Sequence, residues 1–319
     1  MKLQTQIPLT RANNPIDYSS QLLVLGSCFS ENIGAKLDYF KFQTVQNPFG
    51  ILFHPLAIEN LISRAVKKEY YSADDLFFLN ERWHCFDVHS SLSDVRRDAL
   101  LENLNAQLVR TENQLRLATH ILITLGTAWV YQKKQTGKMV ANCHKVPQKE
   151  FKKHLLTVNE ITASLQRSVQ HIESINKKAQ LIFTISPVRH LKDGFIENER
   201  SKSHLITAIH TILSIPPSGA RGIYFPSYEI MMDELRDYRF YKMDMIHPNT
   251  LAIDYIWEKF SKVWISDDAQ VTVKKVEEIQ RGLRHRPFNP NSEQHQRFQE
   301  SLKEKISYIK KEHPFMTFE

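Results

Sequence analysis

Three observations predict an α/β fold on a parallel sheet. Short apolar runs alternate with segments of helical period along the chain. The runs are nearly continuous in apolar residues, as strands covered on both faces require. The first of them, at 22–25 (LLVL), meets Gly26 and then a polar opening to an amphipathic helix. The remaining strand candidates are 42–46 (FQTVQ), 119–125 (THILITL), 180–185 (QLIFTI) and 222–225 (GIYF). Helices are predicted near 30–40, 55–68, 93–117, 157–178, 197–214 and 227–236. A last core helix follows Pro248-Asn249, with Leu251, Ala252, Tyr255, Ile256, Lys259, Phe260 and Val263 on one face.

Two segments interrupt the alternation. Residues 70–90 are expected to form a small antiparallel excursion turning at Asn80-Glu81, and 128–143 a hairpin around 134–137. Beyond about 266 the chain becomes charged and glutamine-rich, with RPFNPNSEQ between two helical stretches. The expected division is therefore an α/β domain over 1–265, with insertions near 70–90 and 128–143, and a helical C-terminal appendage over 266–319.

Composition narrows the function classes. The 319 residues, 42% hydrophobic and 24% charged, suit a soluble globular protein. No run approaches the roughly 20 apolar residues of a membrane span, and MKLQTQIPLTRANNP has no apolar signal core, so a cytoplasmic location is expected. Cys28, Cys85 and Cys143 make no even disulfide set. The net charge of +7 is concentrated between 132 and 154, where seven lysines face Glu150 alone. Such a field would steer an anionic substrate, although a solvated hairpin face accounts for it as well. No aromatic-interleaved basic stripe accompanies it, so nucleic acid is not an expected partner.

The chemistry-bearing residues sit at the ends of the predicted strands. Ser27 and Cys28 follow Gly26 on the strand-to-helix turn, where a nucleophile would meet the N–H groups of a helix N-terminus. Asp244 and His247 lie three apart ahead of the last core helix, with Pro248 setting the helix start. A carboxylate at that spacing can orient an imidazole of its own segment. Helix capping is the plainer role for either residue. Arg189 and His190 follow the fourth strand, at the edge where open α/β sheets bind ligands. Arg189 would grip a carboxylate or phosphate there, or else serve a structural ion pair. Zinc is the rival chemistry for Cys28, His84-Cys85 and Cys143-His144. No Cys-x-x-Cys or His-x-x-x-His spacing supports it, and no metal site is expected.

LLVLGSCFS at 22–30 resembles the signature of the GSCFA-domain family, placed within the SGNH (GDSL-like) hydrolase group. NPFG (47–50), TLGTAW (124–129), ANCHKVP (141–147), SPVRH (186–190), NERSKSHL (198–205) and DMIHPN (244–249) extend the resemblance over roughly residues 1–265. The resemblance implies a three-layer α/β/α fold with a five-stranded parallel sheet of the flavodoxin-like SGNH type, and an ester- or acyl-handling site. In the parent pattern the first strand ends Gly-Asp-Ser. That register puts Cys28 at the nucleophile position, while a one-residue shift of the turn would give Ser27. Gly50 fits the glycine whose N–H joins the oxyanion hole, and a plain turn glycine fits equally. The third block lacks its usual asparagine at Gly126-Thr127-Ala128-Trp129. Asn142 is then the candidate oxyanion donor and His144 a substrate contact or second base. Asn198, Ser201 and Lys202 would flank the same crevice.

Together these expectations describe an acyl-ester hydrolase or acyltransferase. It would act on an acylated sugar or another small hydroxylated acceptor, one bearing an anionic group if the lysine field is used. Cys28 or Ser27 would attack, His247 would carry the proton and Asp244 would orient it, with no cofactor required. The alternative is a non-catalytic module that binds a glycan or partner on an SGNH scaffold.

Overall fold

The computed structural model describes residues 4–214 and 222–318. In chain order the strands are β1 (Gln21–Gly26), β2 (Gln43–Gln46), β3 (Leu76–Leu79), β4 (Arg82–Cys85), β5 (His120–Leu125), β6 (Trp129–Lys133), β7 (Met139–Val140), β8 (Phe151–Leu155), β9 (Gln180–Ile185) and β10 (Gly222–Phe225). The helices are α1 (Cys28–Tyr39), α2 (Pro55–Lys67), α3 (Arg97–Leu117), α4 (Val158–Ile175), α5 (Phe195–Leu213), α6 (Ser227–Glu229), α7 (Thr250–Trp264), α8 (Asp267–Arg284) and α9 (Glu293–Glu312).

Five strands form one parallel sheet in the order β2-β1-β5-β9-β10. Every residue of β5 is buried, which explains why its sequence shows no polar alternation. Successive strand residues nevertheless enter different cores. Leu23, Leu25, Ile121, Ile123, Leu181 and Phe183 join the buried faces of α2, α3, α4 and α5. Leu22, Val24, Leu122 and Ile182 join α1, α7 and α8 on the other side. Each such aliphatic side chain contributes about 1.5–3 kcal/mol by leaving water, so the two cores together fix a three-layer α/β/α sandwich. The strand order is that of flavodoxin-like sheets, and Ser27, Cys28, Arg189 and His190 lie at its carboxyl edge.

The β3–β4 hairpin turns at Asn80 and Glu81, both with positive φ, as a two-residue hairpin turn demands. The second insertion is larger than expected. β6 pairs with β7 and also with β8, making a three-stranded antiparallel sheet that runs to Leu155. The helix expected over 227–236 is only the three residues of α6, followed by a π-turn at Ile230–Glu234. The wide turn buries Ile230 and Met231 while the Glu234 carboxylate accepts from the Ile7 N–H and pairs with Lys259. The helix expected from 93 starts at Arg97, because Asp94 is held in a bridge with Trp83.

After α7, Ser266 caps α8 through the Ala269 N–H. α8 buries Val273, Val276 and Ile279 in the same core as α1 and α7, and α9 adds Ile309. Gln280 donates to the Tyr39 carbonyl at the end of α1, so the C-terminal helices pack directly on the sandwich. Among the described residues no helix is long and apolar enough to cross a membrane.

Candidate functional site

The turn after β1 is heavily constrained. Gly26 has φ +129°, and a Cβ there would overlap the Thr124 carbonyl on the neighbouring strand β5. Its N–H donates to Asn47 Oδ1 (2.9 Å), and the Ser27 N–H donates to Thr124 O (3.1 Å). Only glycine tolerates both that φ and that approach. The chain then enters α1 with Ser27 as N-cap, its Oγ accepting from the Phe29 N–H (3.4 Å). Ser27 is wholly buried, whereas Cys28 is half-buried at the first helical position. Burial and then Glu31 push the Cys28 thiol up from its ordinary pKa. Lys202 and the N–H groups of Cys28 and Phe29 act the other way, favouring the thiolate.

The second arm is the loop before α7. Asp244 Oδ2 lies 2.6 Å from His247 Nδ1, and Oδ1 accepts from the N–H groups of Ile246 (2.9 Å) and His247 (3.0 Å). Those hydrogen bonds hold the Asp244 carboxyl down at about 2. An imidazole whose Nδ1–H is given to a carboxylate keeps its lone pair on Nε2, the form a general base needs. Neither residue caps α7. The cap is Asn249, which accepts from the Ala252 N–H, and Pro248 therefore stands before the cap instead of at the first helical position. Pro248 instead bridges to Tyr241.

Between the arms lies a group of partly and wholly buried side chains. Gly126, after β5, is surrounded so closely that a Cβ would come within 3.2 Å of His190 Nε2, Phe53 O and Ser27 Cβ. His190 Nε2 is buried and has no hydrogen-bond partner among the described residues. Burial first, then the charges of Lys202 and His247, pull the His190 imidazole down to about 3. The His190 N–H donates to Asn198 Oδ1 (2.8 Å). Lys202 is 1% exposed, and its Nζ donates to Gly126 O and Ser186 O, both at 2.8 Å. Burial pulls its ammonium down to about 7. Arg189 reaches across to the late loop, donating from Nη2 to Met245 O (2.8 Å) and lying 5.1 Å from the Tyr241 ring centre. Arg189 thus ties the loop after β9 to the loop before α7, and Gly126 lies between His190 and the elbow.

The sequence model of the GSCFA family matches residues 21–260, which covers both arms and everything between them. The chain belongs to the GSCFA family. A second model, for the C-terminal domain of GSCFA domain proteins, matches residues 276–319, from within α8 through α9 and beyond it. No curated protein matches the chain.

Several residues expected at the site of this GSCFA protein are engaged elsewhere. The Gly50 N–H closes a turn onto Asn47 O (2.7 Å), and the glycine is needed because a Cβ would strike His89. That N–H is therefore not free for an oxyanion. The Gly126 and Thr127 N–H groups both donate to Phe53 O. Asn142 and His144 line a separate pocket of about 320 Å³ with Asn80, Arg82, His84, Ser90, Ser93 and Lys145. There Asn142 accepts from the His144 N–H, and His144 Nε2 meets Cys85 O at 2.7 Å. Ser201 Oγ accepts from the Ala128 N–H and so shapes the loop after β5. Arg189 gives Nη2 to Met245 O, while its buried Nε has no hydrogen-bond partner among the described residues.

Among the described residues no three His, Cys, Asp or Glu side chains come together as a metal cradle. A cleft of about 1040 Å³ lies between α1, α7 and α8, but it includes none of the reactive groups named above. Sequence reasoning missed the anchoring roles of Asn47 and Phe53 O. The Asn-Pro turn in NPFG was a signal for the first, while a backbone acceptor leaves none.

Proposed function

We propose that this GSCFA-family protein is an acyl-ester hydrolase or acyltransferase with Cys28 as nucleophile, His247 as the proton carrier and Asp244 as the residue that orients it. The observation that carries the reading is the shared setting of the two arms. Gly126 is packed so that a Cβ would meet both Ser27 Cβ and His190 Nε2, and Arg189, next to His190, donates to Met245 O in the loop of Asp244 and His247. Cys28 is favoured over Ser27 because it is the half-exposed member, while the Ser27 hydroxyl is buried as the cap of α1.

In the first half-reaction His247 Nε2 takes the thiol proton and the sulfur bonds to the acyl carbonyl carbon. The oxyanion forms beside the Cys28 N–H at the N-terminus of α1. The carbon–oxygen bond to the alcohol breaks, and His247 gives its proton to the departing oxygen. In the second, water or an acceptor hydroxyl loses a proton to His247 and attacks the thioester. The carbon–sulfur bond breaks, and the proton returns to sulfur. Water as acceptor makes a hydrolase, a sugar hydroxyl a transferase. Met243 and Met245, exposed on either side of Asp244, offer apolar surface for the acyl chain.

The test is intact-protein mass spectrometry after exposure to an activated acetyl ester. One acetyl group is expected on the wild type and on Ser27→Ala, none on Cys28→Ala, and labelling about 100-fold slower on His247→Ala. Equal labelling of Cys28→Ala would refute the assignment. The internally bonded N–H groups of Gly50 and Gly126 favour a second reading, a module that binds a glycan or acylated partner without turnover. Saturable binding with no adduct in any variant would establish it.

A further inference from the structure

We propose that the pocket between the two insertions is a phosphate-binding site, in which Arg82 and Lys145 match the charge of a free phosphate ion or of a small phosphoester. The site lies apart from the elbow and does not depend on how Cys28 reacts.

The pocket exists only because the insertions meet. The Ala141 N–H donates to Phe86 O (2.8 Å), and Phe86 stacks on Phe77 of the first hairpin with ring centres 4.0 Å apart. The β3–β4 hairpin and the turn after it contribute Asn80, Arg82 and Ser90, while the segment between β7 and β8 contributes Asn142, His144 and Lys145. A volume of about 320 Å³ suits a small polar molecule.

The lining is cationic and rich in donors, and it includes no carboxylate. Arg82 is held by donating from Nη2 to Ser93 O, which leaves the rest of its fork. Neither Arg82 nor Lys145 forms an ion pair among the described residues. Asn142 Oδ1 accepts from the His144 N–H (2.8 Å), so its Nδ2 is the end left to donate. A phosphate near neutral pH carries close to two negative charges, and two unneutralised cations beside amide and hydroxyl donors complement it.

A second observation points to a ligand. His144 is 4% exposed and lines the pocket, with Nε2 at 2.7 Å from Cys85 O. A carbonyl can only accept, so the proton is on Nε2 and Nδ1 is a bare acceptor. Nδ1 is buried and has no hydrogen-bond partner among the described residues. Buried polar atoms are nearly always paired. The O–H of hydrogenphosphate, or a water carried in with the ion, would satisfy this one.

The surroundings favour the same charge. Lys134, Lys138, Lys149 and Lys152 are exposed on the second insertion and form no ion pair among the described residues. Lys153 differs, being paired with Asp193. The four free lysines draw an anion toward this face, but none of them lines the pocket, whereas Lys145 does.

Isothermal titration calorimetry of the full chain with inorganic phosphate, at roughly 0.15 M salt, is expected to show saturable one-site binding. Lys145→Gln and Arg82→Gln should each weaken it about tenfold. The double variant Lys149→Gln, Lys152→Gln, changed on the same insertion but outside the pocket, should weaken it less than about twofold. Equal losses in both sets would mean diffuse attraction and overturn the proposal, as would titration without saturation. Glycerol phosphate separates the two sources: its binding supports a phosphoester, and its exclusion while phosphate binds supports the free ion.

Arg82→Gln loses the tie to Ser93, and if it does not fold, the exposed Lys145 still carries the test. Nitrogen NMR of the imidazoles gives the location. The His144 resonances should shift with added phosphate while those of His210, on α5, hold still, and unmoved His144 resonances at saturation would overturn the proposal. None of the changed residues belongs to the proposed catalytic pair, so phosphate binding and acyl labelling stand or fall separately.

Discussion

The elbow at 26–30 and the loop at 242–247 carry the two halves of the candidate chemistry, and they are built in opposite ways. The elbow is buried and fixed from several directions: Gly26 by Asn47 and the Thr124 carbonyl, Ser27 by Thr124, and Ser30 by Leu25 O. The loop is exposed, and its Asp244–His247 pair is nearly half accessible to solvent. It is held by its own turn, by Lys242 N–H to His247 O, and by the reach of Arg189. A reactive atom at the mouth of a helix has to be placed by the sheet. A proton carrier needs only its tautomer fixed, which one neighbouring carboxylate does, so it can sit on a segment free to adjust.

That contrast can be broken most sharply at Gly26. Gly26→Ala forces a Cβ against the Thr124 carbonyl at an unfavourable φ and should cost roughly 3 kcal/mol or more, measured by urea denaturation. Asn47→Ala leaves the Gly26 N–H without its acceptor and should cost about 1–2 kcal/mol in the same assay. On the other side, Arg189→Ala should cost no more than about 1 kcal/mol while slowing acylation about tenfold, because the loop loses its tether. A large stability loss with unchanged labelling would erase the distinction.

The smallest effect is a pH response. A carboxylate held at about 2, below its ordinary 3.8, supports the loop at every pH above its ordinary value. The support is lost only as pH falls through the lowered value. The Ile246 and His247 amide resonances should therefore hold still through the ordinary carboxylate range and move near pH 2. Movement near 4 would show that Asp244 does not cap them.

Much of the sandwich was legible from apolar runs, because a strand buried on both faces has to be continuously apolar. β8 was not, since Phe-Lys-Lys-His-Leu offers apolar residues only at its ends. The break at 230–234 was hidden because a π-turn keeps the composition of a helix. At the site, Asp244 and His247 were readable as a pair since their partnership is local. The placement of Asn142 and His144 away from the elbow depends on where a three-stranded insertion lands, which no local pattern encodes. Lys202 was the hardest to read. Its letter suggests solvent, and only the tertiary arrangement shows it enclosed.

Phe53 O takes two N–H groups from the turn after β5, and Leu52 N–H is given to Gly26 O. The segment between β2 and α2 thereby rivets two neighbouring turns into one block. No guest could pry one of them open without dislodging the others. A substitution that shifts the backbone at 52–53 would therefore move the turns after β1 and β5 together.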